Sequence, residues 1–274
     1  MMKKLFCSFL LVSGVFCSAA EPAAVPPELA RIRSYLQTKA RGQAPWTWIF
    51  YGDSITHGAK HTHGWRSFPE IFAERLRYEL GIRLNTVINS GISGNTTANL
   101  LDGTQYYHRI KKFSPSVVIL MIGTNDIVRI KDINVYRKNL ETLVEKIRKD
   151  KAYPVLMTLP GIWKNTKRRD YIARLKGLDA YNAVIRETAK KYNTVLVDNA
   201  SRWEKIAPTA DKQKKFLGEE LHPGPMGHLE IAREIFRVFG IDDPAAVSSN
   251  PVGREYMDLD LYHKTQQKKK AAGK

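Results

Sequence analysis

Four short blocks along this chain hold the residue types that acyl transfer requires. Gly52-Asp53-Ser54-Ile55-Thr56 offers a hydroxyl nucleophile, and Glu219-Glu220-Leu221-His222-Pro223 offers an imidazole preceded by acids. Between them lie the stretch Asn89-Ser90-Gly91-Ile92-Ser93-Gly94-Asn95 and the block Gly123-Thr124-Asn125-Asp126. These two supply a backbone N–H and a side-chain amide able to hold a developing oxyanion. Attack on a carbonyl carbon needs all three roles to meet at one point.

Ser54 is the candidate nucleophile. A Gly-Asp-Ser tripeptide alone is as readily a helix cap, so the assignment draws its weight from the partners. His222 is the candidate base: its Nε2 would take the Ser54 proton while a carboxylate holds Nδ1–H, and imidazole changes charge near neutral pH. Glu219 and Glu220 compete for that orienting role. Glu219, three residues ahead, can fold back across a tight turn; Glu220, two ahead, would point aside. Gly94 and Asn125, with the Ser54 N–H, are the candidate oxyanion donors. Either residue alone at a strand end would be ordinary turn chemistry.

The elements that must position these blocks are legible as periodicity. Residues 21–27 read as an extended leader, and helical composition runs from Glu28 to Arg41. Five apolar runs then fit buried strands: Thr47–Tyr51, Thr86–Asn89, Val117–Ile122, Pro154–Leu159 and Thr194–Val197. Between them apolar residues recur at three and four positions, as in Phe68, Ile71, Phe72, Leu76 and Leu80, or Leu178, Tyr181, Ile185 and Ala189. A last helix is expected from about Pro225 to Phe239. Alternating strands and helices imply an α/β fold, a parallel sheet covered on both faces. In such sheets function sits outside the carboxyl ends of strands, where Ser54, Asn89–Gly94 and Asn125 all fall. The connections 160–170 and 199–220 are long enough to form a site rim.

Lys3 and Lys4, the apolar run Leu5–Phe16 and the small residues Ser18-Ala19-Ala20 have the layout of a cleaved export signal, with cleavage expected after Ala20. The protein is therefore expected to be secreted or periplasmic, without a stable membrane anchor. Both cysteines, Cys7 and Cys17, lie in that segment, which excludes a disulfide framework, a thiol nucleophile and a cysteine-ligated metal from the mature chain. The net charge of +17 favours an acidic partner or substrate. The basic residues are scattered and export argues against nucleic acid, so none is expected as a partner. His57, His61 and His63 match no zinc-ligand spacing, and they read as a solvated loop beside Ser54. Asp53 and Asp126 are expected to tie loops by accepting N–H bonds, and His228 to be structural.

In these four ordered blocks the chain resembles the SGNH hydrolases, also called the GDSL lipase/acylhydrolase family. The resemblance implies a three-layer α/β/α, flavodoxin-like fold with a five-stranded parallel sheet, and ester hydrolysis through an acyl-enzyme without metal or cofactor. One departure is Glu219, where the family usually has Asp. The implied organisation is a signal peptide over 1–20, a leader and helix over 21–45, a hydrolase domain over 46–242 and a basic, disordered tail over 243–274. The aromatic and basic loops, with His57, Trp65, Arg66 and Trp163 as candidate substrate contacts, suit sugars better than acyl tails. The expected substrate is therefore a short-chain ester, O-acetyl on carbohydrate, with a lysophospholipase- or thioesterase-like acylhydrolase or a glycan-binding module as alternatives.

Overall fold

The computed structural model describes residues 25–250, apart from 40 and 59. The expected export signal, both cysteines and the lysine-rich end of the tail lie outside the described residues. The chain opens with α1 (Pro27–Gln37), where Pro27 occupies the first helical position, as suits a residue without an N–H. There follow β1 (Thr47–Gly52), α2 (Ser54–His57), α3 (Phe68–Glu74), β2 (Thr86–Asn89), α4 (Thr97–Leu101) and α5 (Gly103–Arg109). The second half runs β3 (Val117–Met121), α6 (Asp126–Arg129), α7 (Ile133–Lys149), β4 (Tyr153–Met157), α8 (Arg169–Lys191) and β5 (Val195–Val197). It closes with α9 (Asn199–Ile206), α10 (Ala210–Lys214) and α11 (Pro225–Phe239).

All five strands are parallel, in the order β2-β1-β3-β4-β5. This is the flavodoxin-like order, in which connections leave in opposite directions from β1 and β3 and open a crevice beyond their carboxyl ends. The central strands are apolar on both faces because helices cover both. Along β1, Trp48 and Phe50 pack against Phe68, Phe72 and Phe239 of α3 and α11. The alternate residue Tyr51 points the other way and donates to the Leu100 carbonyl on α4. α7 and α8 continue that second layer.

Strand positions follow the sequence expectation closely, and the ends differ for local reasons. Past Met157 the ladder of β4 runs out: the Thr158 N–H still donates to the Val197 carbonyl at 3.1 Å, but its Oγ1 donates to Asp198 and the Leu159 N–H goes to the Asn182 side chain. The segment 199–220, expected as a rim loop, contains α9 and α10. Their caps are Asp198, accepting from the Ser201 N–H, and Thr209, accepting from the Lys212 N–H. Past Gly240 the chain stays docked to Asn250. The Ser248 N–H donates to Glu79 and Arg233 donates to the Ser249 carbonyl, so the boundary expected at 242 falls inside packed structure. Among the described residues no helix is long and apolar enough to cross a membrane.

Candidate active site

Ser54 is the first residue of α2, directly after β1, and Asp53 caps that helix by accepting from the Ile55 N–H at 2.9 Å. The following blocks are tied to this turn. The Ile92 N–H donates to the Gly52 carbonyl at 3.1 Å, and the Asn89 amide donates to the Thr56 carbonyl at 2.9 Å. Asp126 accepts from the N–H and hydroxyl of Thr97, at 3.0 and 2.5 Å. Asn125 Nδ2 donates to the Asn95 carbonyl at 3.0 Å. Three carboxyl-end loops of the sheet are thereby locked into one unit at the switch point. Asp126 ties its loop to Thr97 as expected, whereas Asp53 accepts an N–H bond only within its own turn, as the cap of α2.

His222 comes from the far end of the chain on a tight turn. The Gly218 N–H donates to the His222 carbonyl at 2.9 Å, and a bridge pairs Leu217 with Pro223. The imidazole lies between Ser54 and Glu219: Nε2 is 2.8 Å from Ser54 Oγ, and Nδ1 is 2.5 Å from Glu219 Oε1. The same Glu219 oxygen accepts the backbone N–H groups of Leu221 and His222, at 3.0 and 2.7 Å. Burial raises the half-buried Glu219 carboxyl, but the His222 ring and the backbone N–H groups of His222 and Leu221 outweigh it and hold the group down to about 2. It is therefore a carboxylate at any working pH. Glu220 turns aside and accepts from the Thr166 hydroxyl, while its carbonyl accepts the Trp163 N–H at 2.8 Å.

Gly94 has φ +86°, a left-handed conformation that disfavours a side chain. Its carbonyl accepts from Arg129 at 2.7 Å. Among the described residues neither the Gly94 N–H nor the Ser54 N–H has a hydrogen-bond acceptor. Asn125 is buried, and Arg174 spans its loop, donating to the Thr124 carbonyl at 3.2 Å and to Asn125 Oδ1 at 3.4 Å. One of the two Asn125 amide hydrogens goes to Asn95, which leaves a second donor.

The candidate substrate contacts divide. His57 is exposed at the rim, 3.1 Å from Ser93 Oγ, and Trp65 is also exposed. Trp163 donates its indole N–H to the Ala210 carbonyl and, with Lys214, Leu217, Glu219 and Glu220, lines a cavity of about 210 Å³. Arg66 departs from the expectation: its guanidinium is ion-paired with the buried carboxylate of Glu74, which directs its charge into the domain. A larger cavity, about 550 Å³, opens where the strands begin, lined by Trp46, Ser116 and Tyr153 among others. It lies at the opposite end of the sheet from the Ser54–His222 pair.

Sequence reasoning missed two contributors. His61 stacks on His222, with ring centroids 3.7 Å apart and planes inclined by 6°. No spacing rule marks it. Arg174 breaks the apolar stripe of α8 between Tyr171 and Leu178, and a buried cation in such a stripe was the available signal. His61, Glu219 and His222 bring ligand-type atoms within 4.8 Å of one another. The rings are parallel, however, and zinc bonds an imidazole nitrogen in the ring plane at about 2.0–2.1 Å. No point lies in both planes, so this arrangement is not a formed metal site. His228 accepts from the Phe68 N–H at 3.2 Å, and complete burial pushes it down to about 3, a neutral structural residue.

The sequence pattern of the GDSL-like lipase/acylhydrolase family matches residues 50–229. An acetylxylan esterase from Geobacillus stearothermophilus superposes with a TM-score of 0.58 at 22% identity, over 71% of this chain and 94% of that one. An α/β hydrolase enzyme from the metagenome of Lake Arreo, Spain, superposes with a TM-score of 0.60 at 21% identity, over 73% and 97%. At such identities the likeness concerns the fold. An uncharacterized protein of Mycoplasma pneumoniae is 34% identical over 103 residues, which is 36% of this chain and only 11% of the length of that relative. With its pattern matched over most of the described chain, this protein belongs to the GDSL-like lipase/acylhydrolase family, a family of ester hydrolases.

Proposed function

We propose that the protein is an exported serine esterase that removes short acyl groups, O-acetyl in particular, from carbohydrate. The observation that carries this reading is the unbroken relay from Ser54 Oγ through the His222 ring to Glu219, with contacts of 2.8 and 2.5 Å. Ser54 Oγ attacks the ester carbonyl carbon as His222 Nε2 takes its proton. Charge on the former carbonyl oxygen is met by the Ser54 and Gly94 N–H groups and the spare hydrogen of the Asn125 amide. Collapse expels the alcohol, which leaves with the proton from His222, and the acyl group stays on Ser54. Water then attacks that acyl-serine with His222 again as base, releasing the carboxylic acid and restoring the hydroxyl.

The substrate class rests on the rim. Beside Glu219 the Trp163 ring, Lys214 and Glu220 offer an aromatic surface with charged hydrogen-bonding groups, a lining that suits a sugar ring. The acetylxylan esterase likeness points the same way. Export follows from the expected signal over residues 1–20, and the strong positive charge suits an acidic polymer. The test is acetate release from acetylated xylan, pectin, sialylated mucin and peptidoglycan, alongside p-nitrophenyl acetate and palmitate. Acetate release abolished in Ser54→Ala supports the proposal. Preference for palmitate would favour a lipolytic acylhydrolase, and silence on all esters with retained glycan binding would leave only a binding module.

A further inference from the structure

Two hydrogen bonds in the plane of the His222 ring, to Ser54 and Glu219, fix its long axis but leave it free to tilt about that axis. His61 covers one face at van der Waals distance, with centroids 3.7 Å apart and only 6° between planes. The loop that carries it is held on both sides. Thr62 Oγ1 donates to the Gly58 carbonyl at 2.8 Å, and the Trp65 N–H donates to the Thr62 carbonyl at 2.9 Å, which anchors the loop at the end of α2. On the opposite side a Cβ on Gly218 would stand 2.4 Å from the His61 carbonyl oxygen, so the loop backbone lies directly on the turn that presents His222. A glycine is needed where two backbones approach this closely.

From this geometry we propose that His61 is a positioning residue for His222: its neutral ring blocks the tilt of the base and faces the positive charge that His222 acquires during turnover. The proposal rests on the reading of His222 as base. A neutral π-face beside an imidazolium is attractive, whereas a second imidazolium at 3.7 Å would repel it. The surroundings keep His61 neutral. Burial lowers its pKa first, followed by His222, and Lys60 and His63 of its own loop act in the same direction; Glu219 alone opposes them. His228, facing from α11, is itself neutral. Acidification that charges His61 should therefore remove this support and add a proton step to the acid limb of activity.

The experiment compares kcat and KM for p-nitrophenyl acetate between pH 4 and 9 in the wild type, His61→Ala, His61→Phe and Ser54→Ala, with folding followed by circular dichroism. Ring stacking of this kind predicts a fall in kcat of about two- to tenfold in His61→Ala with KM nearly unchanged. His61→Phe keeps a stacked ring that cannot be charged. It should recover most of kcat and descend on the acid side with unit slope, where the wild type steepens beyond one. Wild-type kcat in folded His61→Ala, an equal loss in His61→Phe, or an acid limb as steep in His61→Phe as in the wild type each overturns the proposal. If His61→Ala does not fold, the slope and kcat of His61→Phe decide alone. Retention of turnover in Ser54→Ala would instead sink the esterase reading itself, a separate outcome.

Discussion

Replacing Glu219 by Gln separates two effects that are usually lost together. In the wild type one oxygen, Oε1, accepts from His222 Nδ1 and from the Leu221 and His222 N–H groups. The two backbone donors would hold the amide oxygen of the substituted side chain in that same place, so Nδ1–H keeps its acceptor and Nε2 still faces Ser54. What disappears is the charge. With Nδ1 and Oε1 2.5 Å apart, the centres of an imidazolium and a carboxylate sit roughly 4 Å apart, an attraction of about 4 kcal/mol at an effective dielectric near 20. Glu219 is half-buried, and solvent screening brings this to about 3 kcal/mol. The expected loss is therefore about 10²–10³-fold in kcat with little change in KM. Glu219→Ala also removes the acceptor and frees the tautomer, and should cost about 10⁴-fold. Glu220→Gln, which loses only part of the Thr166 contact, should stay within about threefold, the usual range for a group outside the reacting centre. The assay is p-nitrophenyl acetate hydrolysis at saturating substrate. A Glu219→Gln enzyme as active as wild type would refute the electrostatic argument. Equal losses in the Gln and Ala variants would refute the claim that the backbone donors preserve the tautomer.

Two other outcomes follow from the same geometry. Asn125→Ala removes the side-chain donor proposed for the oxyanion while the main-chain links of its loop survive; kcat should fall by about 10²–10³-fold, and a loss below threefold would refute that role for Asn125. Asp53 is fully buried, and burial lifts its carboxyl from 3.8 to about 6 despite the Ile55 N–H bond. The unfolded chain thus gives up this proton first, so stability is lost as pH rises from 3.8 to about 6. Asp53→Asn, which can still accept from Ile55, should stabilise the fold by about 1–3 kcal/mol at pH 8 and hardly at all at pH 4, measured by urea unfolding. An equal gain at both pH values would contradict the assignment.

Much of this protein was readable along the chain because the signals are local. Each strand is a short apolar run, since both faces of a parallel sheet are covered, and the loops of Ser54, Gly94 and Asn125 each follow a strand end. The four blocks carried Ser54, Gly94, Asn125 and His222 together with the sheet that bears them. α9 and α10 were overlooked although their caps, Asp198 and Thr209, stood in plain view; their short apolar pattern was too weak beside a long polar stretch. The remaining decisions needed contacts between distant segments. Whether Glu219 or Glu220 faces the imidazole depends on a turn that Leu217, Gly218 and Pro223 close, and on Thr166 drawing Glu220 away. Arg66 looks like a free cation in sequence, but the fold sets it against buried Glu74. His61 has no meaning until a loop beside residue 54 is laid on a turn near residue 222, 168 positions beyond the serine. Periodicity reports which face of an element is apolar. It carries no information about which side chains from separate loops meet at one atom, and that meeting is decided only when the whole sheet is assembled.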